Sequence, residues 1–483
     1  MKKLLERIAE LEQVSEELEP NRLKRKKYNS EINAFADNFI ESLVIRPAYS
    51  KGNAIGKNLS INKKKKSLNN LLEIYTEEVV EKGIVASSGG HLGYIPGGGI
   101  FTSALADYIA DVTNEYAGIH FGSPGAVTLE NELLNWMKNI FGFPKDAIGN
   151  LASGGSIANL IALTAARDKH KVKNEKIQKS VVYLSPQTHH CIHKALRIIG
   201  LEDVIIRNVE LDNYHKIDVD KLEHLIKTDF NSGLHPFLVI ASAGTTDTGA
   251  VDPLDEIGTI SKKYNLWYHI DGAYGGFFIL VDKLKNLFKG IEKADSLVID
   301  PHKSLFIPYG LGVVLIKDKK SVYHSNHYLA NYMQDAYTDE VINPADVSPE
   351  LTKHFRGLRL WLPLQLHEIE PFKACLEEKL LLSQYFRIRL KDLGFKLGPT
   401  PDLSVSYFWY PTEKVDQNVF NKKLNMTIQN NGSVFLSSTI LNSNFVIRMA
   451  ILSFRTKKQT IDKAIDVIEA ALNITKSHFE IAD

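Results

Sequence analysis

The residues most able to carry chemistry are an aspartate and a lysine that each follow an apolar segment. Asp271 ends the segment Tyr-His-Ile-Asp, and Lys303 ends Asp-Pro-His-Lys directly after the run 297–299. Both apolar runs have the length and composition of buried β-strands. An unpaired ion in apolar surroundings is costly, so each of these charges needs a partner or a reaction that uses it.

One chemistry uses both groups. A lysine amine condenses with an aldehyde cofactor as a Schiff base, and a carboxylate that faces the cofactor's pyridine nitrogen keeps that nitrogen protonated. An imine does not need the full solvation of an ammonium ion, which accounts for a lysine between apolar strands. As alternatives, Asp271 could cap a helix and Lys303 could be an ordinary solvated lysine. We favour the first interpretation, which predicts pyridoxal 5'-phosphate as the cofactor.

The composition is that of an ordinary globular protein. Of the 483 residues, 44% are hydrophobic and 24% are charged, and the formal net charge is +1. This charge predicts no general attraction to nucleic acids or to anionic membranes. Two cysteines cannot form a disulfide framework, and no stretch predicts a signal peptide or a membrane span. We therefore expect a cytoplasmic protein with no nucleic-acid or membrane partner.

The pattern along the chain predicts three parts: a helical N-terminal segment over 1–75, a large domain over 76–382 and a small α+β domain over 383–483. In the large domain, β-rich runs alternate with helical stretches, which is typical of a mostly parallel sheet covered by helices. Ligands bind beyond the carboxyl ends of the strands in such sheets, where Asp271 and Lys303 fall. Residues 323–350 have no clean period and predict a long loop over the site. The β-rich runs are 181–184, 204–206, 237–241, 266–270, 297–299 and 312–316.

Two glycine-containing segments could bind polar groups of the cofactor. Gly155 and Ser156 precede an alanine-rich helical stretch, and the N-terminus of such a helix can bind a phosphate or carry only an ordinary cap. Thr246 lies in Ala-Gly-Thr-Thr after another predicted strand, where it could hydrogen-bond a ligand or form a turn. Taken alone, both segments leave these alternatives open.

Three histidines follow the predicted strand at 181–184. His189 could stack on a planar cofactor ring, or it could be a loop histidine that bonds a neighbouring carbonyl. His190 and His193 have no cysteine or carboxylate at a spacing that suits zinc. We therefore predict no metal site.

Together and in this order, these segments resemble the group II pyridoxal-phosphate-dependent decarboxylases, a family that includes aromatic L-amino-acid decarboxylase. The likeness runs from about residue 71 to the C-terminus. It implies the aspartate-aminotransferase-like fold (fold type I) and a homodimer whose active sites lie at the subunit interface, with the N-terminal helices around the partner. It also implies decarboxylation of an L-amino acid, most simply an aromatic one, to an amine and carbon dioxide.

The resemblance also implies a role for each matching residue. Lys303 would hold the cofactor covalently, Asp271 would pair with the pyridine nitrogen, and His189 would stack over the ring. Tyr328 would protonate the carbanion after carbon dioxide leaves. The remaining matches are Gly155, Ser156, Asp300 and His302 for the phosphate, Thr246 for the phenolic oxygen, Ala273 under the ring, Tyr94, Pro96, Gly97 and Tyr116 for the substrate pocket, and Gly118, which like Tyr116 would reach the partner's pocket.

Some residues depart from the family pattern. Gly97 and Gly118 stand where larger residues are frequent, and Ser304 stands where tryptophan is frequent, so we expect a wider or differently shaped pocket. Two alternative functions stay open at this point. One is a Cα–Cβ lyase similar to sphingosine-phosphate lyase, and the other is a non-catalytic scaffold that binds pyridoxal phosphate.

Overall fold

Helices and strands alternate along most of the chain. In the computed structural model, which describes residues 1–52, 56–61, 65–328 and 342–481, the strands are β1 (Tyr49–Ser50), β2 (Gly83–Ile84), β3 (Ile148–Ala152), β4 (Ser180–Leu184), β5 (Ile205–Asn208), β6 (His235–Ser242), β7 (Trp267–Asp271), β8 (Ser296–Ile299), β9 (Gly312–Ile316), β10 (Lys396–Leu397), β11 (Val405–Trp409), β12 (Ser437–Leu441) and β13 (Asn444–Ala450). The helices are α1 (Lys2–Ser15), α2 (Arg22–Ser42), α3 (Leu68–Tyr75), α4 (Phe101–Thr113), α5 (Pro124–Phe141), α6 (Gly155–Lys169), α7 (Cys191–Ile198), α8 (Val219–Asn231), α9 (Leu254–Lys263), α10 (Pro301–Ser304), α11 (Lys319–Asn326), α12 (Leu358–His367), α13 (Glu370–Asp392), α14 (Gln417–Asn431) and α15 (Lys458–His478). Among the described helices, none has the length and hydropathy needed to cross a lipid bilayer.

The largest sheet has seven strands in the order β3-β9-β8-β7-β6-β4-β5. β9 runs antiparallel to both of its neighbours, and the other adjacent pairs are parallel. Helices cover both faces, as the alternating runs in the sequence predicted. The predicted α/β class with a mostly parallel sheet is therefore confirmed.

Each central strand is buried on both faces, because alternate residues of the strand pack into two different cores. In β4, Val181 and Tyr183 belong to one core, and Val182 and Leu184 belong to the other. The first core also contains residues of α5, α8 and α9, and the second contains residues of α6 and α7. A strand that is covered on both sides has no polar face, which is why these runs look continuously apolar in the sequence.

A second, four-stranded antiparallel sheet near the C-terminus has the order β10-β11-β13-β12. The long helix α13 joins the two parts: Leu376 packs in the core of the large sheet, and Phe386 packs in the core of the small one. The boundary that we predicted between residues 382 and 383 therefore falls inside one continuous helix. The division into three domains stays a prediction.

The predicted loop over 323–350 begins later than expected. Tyr323 lies inside α11, which continues to Asn326. The helix begins after Asp318, whose side chain caps it by accepting the N–H groups of Lys320 and Ser321. Tyr328 lies just beyond the helix, and residues 329–341 lie outside the described residues. Further on, Pro344–Val347 forms a short 3-10 helix. The expectation of a loop over the whole of 323–350 was therefore wrong at its start.

A buried ion pair between α5 and the segment before α12 offers a test of stability. Lys353 Nζ lies 2.5 Å from Glu130 Oε2, and the two side chains are 1% and 2% exposed. Lys353→Met leaves the buried carboxylate without a cation. We therefore expect the free energy of unfolding, measured by urea denaturation, to fall by about 3–5 kcal/mol.

The double variant Lys353→Met/Glu130→Leu should recover most of that loss, because it removes both charges. As a control, Lys285→Met at an exposed pair with Asp282 should lower the free energy of unfolding far less than Lys353→Met does. Equal effects of Lys353→Met and Lys285→Met would contradict the assignment.

Candidate active site

The carboxyl ends of the parallel strands surround a cavity of about 330 Å³. Segments that follow β3, β4, β6, β7 and β8 contribute to its wall. Tyr309 and Gly310 join them, since β9 runs in the opposite direction and begins at this edge. Every residue that we predicted to bind the cofactor lies on this wall: Gly155, Ser156, His189, Thr246, Asp271, Ala273, Asp300, His302 and Lys303.

Lys303 lies in the short helix α10, and 25% of its side chain stays accessible. Its Nζ is 3.0 Å from Asp300 Oδ2. Burial acts to lower the pKa of Lys303, but the carboxylates of Asp300 and Asp271 outweigh this effect, and the pKa is raised above its ordinary value. Without a cofactor the group is therefore an ammonium ion, which must lose a proton before it can attack an aldehyde.

Asp271 ends β7 and faces the same cavity. Its Oδ1 accepts the backbone N–H of Ala273 at 3.1 Å, and its Oδ2 accepts the side-chain amide of Asn159 at 3.4 Å. Within the described residues Asp271 makes no ion pair with Lys303, whose carboxylate partner is Asp300. Asp271 and Lys303 thus line the same cavity without bonding to each other across it. This arrangement leaves room for a ring between them.

The N-terminus of α6 forms one wall of the cavity and is suited to an anion. Its N-cap, Gly154, has no side chain to accept the N–H groups of the first turn. A Cβ atom on Gly155 would lie 2.9 Å from Asp300 Oδ2, so the carboxylate can approach this turn only because a glycine is there. Ser156 adds a hydroxyl group to the same turn.

Asp300 and His302 lie opposite this helix N-terminus. Asp300 is 1% exposed, and its Oδ1 has no hydrogen-bond partner among the residues that the structure describes. His302 Nδ1 lies 2.6 Å from the Leu311 carbonyl oxygen, so this nitrogen carries the proton and donates it. Burial lowers the pKa of His302, against the opposing effect of Asp300. The cavity therefore combines free N–H groups for a phosphate, an amine for an aldehyde and a carboxylate for a ring nitrogen, and these residues fit pyridoxal phosphate.

His189 lies after β4 on the cavity wall, with its ring orientation set by the backbone. Its Nδ1 accepts the N–H of Cys191 at 3.3 Å. Burial is the main cause that lowers the pKa of His189, although Asp271 opposes it. The ring is therefore neutral near pH 7 and carries its proton on Nε2. A neutral flat ring of this kind can lie against a cofactor and still donate one hydrogen bond.

The residues predicted to contact the substrate do not line this cavity in the described chain. Tyr94 is 59% exposed, whereas Pro96 and Gly97, which follow it in the sequence, are buried. Tyr328, the predicted proton donor, is 87% exposed and is not on the cavity wall either. Tyr94 has a φ angle of 55°, and the next residue, Ile95, has one of 115°, which is rare for a β-branched residue. Tyr116 is half-buried and also lies away from the cavity.

The three departures from the family pattern are packing contacts and do not widen this cavity. A Cβ atom on Gly97 would lie 2.3 Å from the backbone oxygen of His302, and one on Gly118 would lie 2.2 Å from that of Leu351. Ser304 is fully buried and donates to the Tyr274 carbonyl at 2.6 Å. Each of these residues faces a neighbouring backbone, and the expectation of a wider or differently shaped substrate pocket stays a prediction.

Sequence reasoning missed some residues of the cavity wall. Asn159 is one example, and it follows Ser156 by three residues in α6, which places both on one side of that helix. This spacing is a signal that the sequence contained. Tyr309 gave no such signal, because only the antiparallel direction of β9 brings it to this edge.

Comparison with known proteins identifies the class. The family described as "Pyridoxal-dependent decarboxylase conserved domain" matches residues 47–410. An aromatic-L-amino-acid decarboxylase of Bacillus atrophaeus is 36% identical over 372 residues, which cover 76% of this chain and 77% of that protein. Tyrosine decarboxylase 2 of Narcissus pseudonarcissus is 28% identical over 83% of this chain and 84% of its own length. The chain belongs to the pyridoxal-dependent decarboxylase family.

The solved structures agree in fold. The structure of Oryza sativa TDC with PLP and tryptamine superposes with a TM-score of 0.88 at 21% identity, over 94% of this chain and 99% of the other. Fold type I and the recognised family are thus confirmed. This protein is a carboxy-lyase that uses pyridoxal phosphate, and the Cα–Cβ lyase and the non-catalytic scaffold are no longer needed as explanations.

Asp300→Asn tests the electrostatics of the lysine. It removes one of the two carboxylates that raise the pKa of Lys303, so the amine should lose its proton at a lower pH. At saturating pyridoxal phosphate, the cofactor-free variant should form the borohydride-trappable adduct faster near neutral pH, by roughly tenfold for each unit of pKa decrease. Asp295→Asn, at a half-buried aspartate before β8 and outside the cavity, is the control and should behave as the wild type. Identical rate–pH profiles for wild type and Asp300→Asn would contradict this account.

Proposed function

We propose that this chain converts an aromatic L-amino acid into the corresponding amine and carbon dioxide, with pyridoxal phosphate held by Lys303. The observation that carries the proposal is the convergence of Lys303, Asp271 and His189 on one cavity at the N-terminus of α6. The other proposed roles are phosphate binding for Gly155, Ser156 and His302, a charge partner of Lys303 beside the phosphate for Asp300, a contact with the phenolic oxygen for Thr246, and packing under the ring for Ala273.

The residues of the chain would act as follows. When bound, the cofactor supplies an electron-accepting ring that stabilises the negative charge left on Cα after carbon dioxide departs. Asp271 holds a proton on the ring nitrogen. The Nε2–H of His189 donates to the substrate carboxylate and so orients the bond that breaks. Asp300, 3.0 Å from Lys303 Nζ, stabilises the ammonium ion of Lys303 once the substrate amine has taken its place.

The charges on the cavity wall support an uncharged substrate side chain. Apart from histidines, Lys303 is the one cationic residue on the part of the wall that the structure describes. A substrate with a second carboxylate would find no further cation to pair with, and an unpaired buried charge is costly. Ile157, Tyr274 and Tyr309 add apolar and aromatic surface that suits an aromatic ring.

Tyr328 is the proposed proton donor to Cα. It lies just after α11, with 87% of its surface exposed in the single chain. A proton donor must reach the substrate while water is excluded, so Tyr328 would have to enter a closed site. With Tyr328 in that place, the expected product is the amine rather than an aldehyde.

A homodimer would place the remaining predicted residues at an active site between two subunits. None of the residues of α1 and α2 is buried, and Leu4, Ile8 and Leu11 of α1 present an exposed apolar stripe. In the proposed dimer a second copy of the chain covers these helices, and active sites at the subunit interface require that it also cover Tyr94. We further infer a cytoplasmic location, which the free thiols of Cys191 and Cys375 support.

The function is tested by incubating the protein with a panel of amino acids and measuring both carbon dioxide and amine. Aromatic substrates should give equal amounts of the two products, and glutamate should give little of either. Lys303→Ala should fold normally, lose the borohydride-trapped adduct and lose activity by several orders of magnitude. Lys317→Ala, at a half-buried lysine outside the cavity, is the control. An unchanged adduct in Lys303→Ala would refute the assignment of the lysine.

Tyr328→Phe tests the proton donor. The variant should keep the colour of the bound cofactor and should release carbon dioxide. Because no group protonates Cα, dissolved oxygen should take two electrons from it, and the amine should give way to an aldehyde, ammonia and hydrogen peroxide. Product analysis by mass spectrometry separates the two. Tyr214→Phe, at another exposed tyrosine, should leave the product unchanged. Amine formation at the wild-type rate by Tyr328→Phe would remove Tyr328 from this role.

A further inference from the structure

A chain of hydrogen bonds runs through the core behind Asp271. Trp267 Nε1 is 2.8 Å from Ser296 Oγ, which is 2.8 Å from His269 Nδ1. His269 Nε2 is 2.7 Å from Asn159 Oδ1, and Asn159 Nδ2 is 3.4 Å from Asp271 Oδ2. All five side chains are buried, and those of Ser296, His269 and Asn159 are fully so.

The chemistry of the groups fixes the direction of each bond. The indole N–H of Trp267 can only donate, so Ser296 Oγ accepts it and keeps its own hydrogen for His269 Nδ1. The Asn159 amide must turn its N–H toward the Asp271 carboxylate, since two oxygens would repel each other there. Asn159 Oδ1 then faces His269 and accepts the proton on Nε2. Every link therefore points its hydrogen toward Asp271.

His269 acts in this chain as a neutral ring. Burial lowers its pKa to about 4, against the opposing effect of Asp271. Both of its nitrogens are engaged, one as acceptor and one as donor. Because no link has a spare proton, the chain cannot deliver a proton to Asp271, and it can only orient the carboxylate and stabilise its charge.

We propose that Asn159 and His269 are positioning residues that hold the Asp271 carboxylate ionised and in place, so that it keeps the cofactor's ring nitrogen protonated. The proposal rests on the proposed function. Asn159 stands one turn beyond Gly155 and Ser156 in α6. The same helix thus offers its N-terminus to the phosphate and its second turn to the carboxylate, and so sets the distance between the two ends of the cofactor site.

Other titratable groups also act on Asp271 and have to be considered in a test. They are Lys303, His189, Cys191 and His269. Burial raises the pKa of the Cys191 thiol to about 12, and its Sγ lies 3.5 Å from the same Asn159 amide. It is therefore a neutral neighbour at ordinary pH. Asn159 is the link whose replacement breaks the chain at Asp271 without replacing any of these titratable groups.

The test uses Asn159→Leu, which has a similar volume and no polar atoms, loaded with pyridoxal phosphate that carries ¹⁵N in the ring. The chemical shift of that nitrogen reports its protonation directly, without substrate. In the wild type we expect one titration of the ring nitrogen at high pH. In Asn159→Leu the midpoint should fall by about one to two pH units, the size expected for the loss of one hydrogen bond to a charged group.

Asn421→Leu is the matched control, because Asn421 is fully buried and hydrogen-bonded to Tyr410 in the small sheet region. It should titrate as the wild type, even if it is less stable. Asn159→Ser, whose side chain is too short to join His269 to Asp271, serves if Asn159→Leu does not fold, and its midpoint should fall as well. A midpoint equal to that of the wild type in the folded Asn159 variant would overturn the proposal.

Cofactor binding by Lys303 and the positioning role of Asn159 and His269 are tested by separate measurements. Borohydride trapping in the wild type reports whether Lys303 binds the cofactor at all, and its absence would defeat the proposed function. A normal adduct together with an unshifted ring-nitrogen titration would defeat only the role of Asn159 and His269.

Discussion

Three ionisable groups, Asp271, Asp300 and Lys303, are concentrated at one edge of an almost wholly apolar sheet, and the rest of the site is arranged around that constraint. A lone charge in such a place would be costly. Lys303 pairs with Asp300 at 3.0 Å, and Asp271 receives N–H groups from Ala273 and Asn159. The site therefore keeps its charges without filling the cavity between them.

Glycines make this arrangement possible in two places. Gly155 lets the Asp300 carboxylate lie against the first turn of α6, and Gly97 lets a second segment lie against the backbone of the helix that carries the lysine. In both places a Cβ atom would meet another atom at less than 3 Å. The close packing of the Asp300–Lys303 segment against α6 and against the segment of Gly97 thus depends on residues without a side chain.

Helix α6 connects the chemistry to the packing. Its buried alanines join one core of the sheet, its N-terminus faces the cavity, and Asn159 continues a line of hydrogen bonds that begins at Trp267. A change deep in the core can in this way reach the carboxylate that faces the cofactor. The substrate side of the site is different, since Tyr94 and Tyr328 are exposed in the single chain. Their part in the reaction is a proposal that requires a closed assembly.

The sequence by itself determined the α/β class and, with the resemblance to a known family, the cofactor and nine residues of the cavity wall. These depend on short-range features that a sequence displays, namely apolar runs of strand length, glycines before a helix, and charged residues at strand ends. The tertiary structure alone decided that Tyr309 reaches the cavity, that α13 is shared by two cores, that Gly97 and Gly118 face backbone, and that Asn159 links His269 to Asp271. The physical reason is that strand order and helix placement bring together residues more than a hundred positions apart, and such contacts have no period or spacing along the chain.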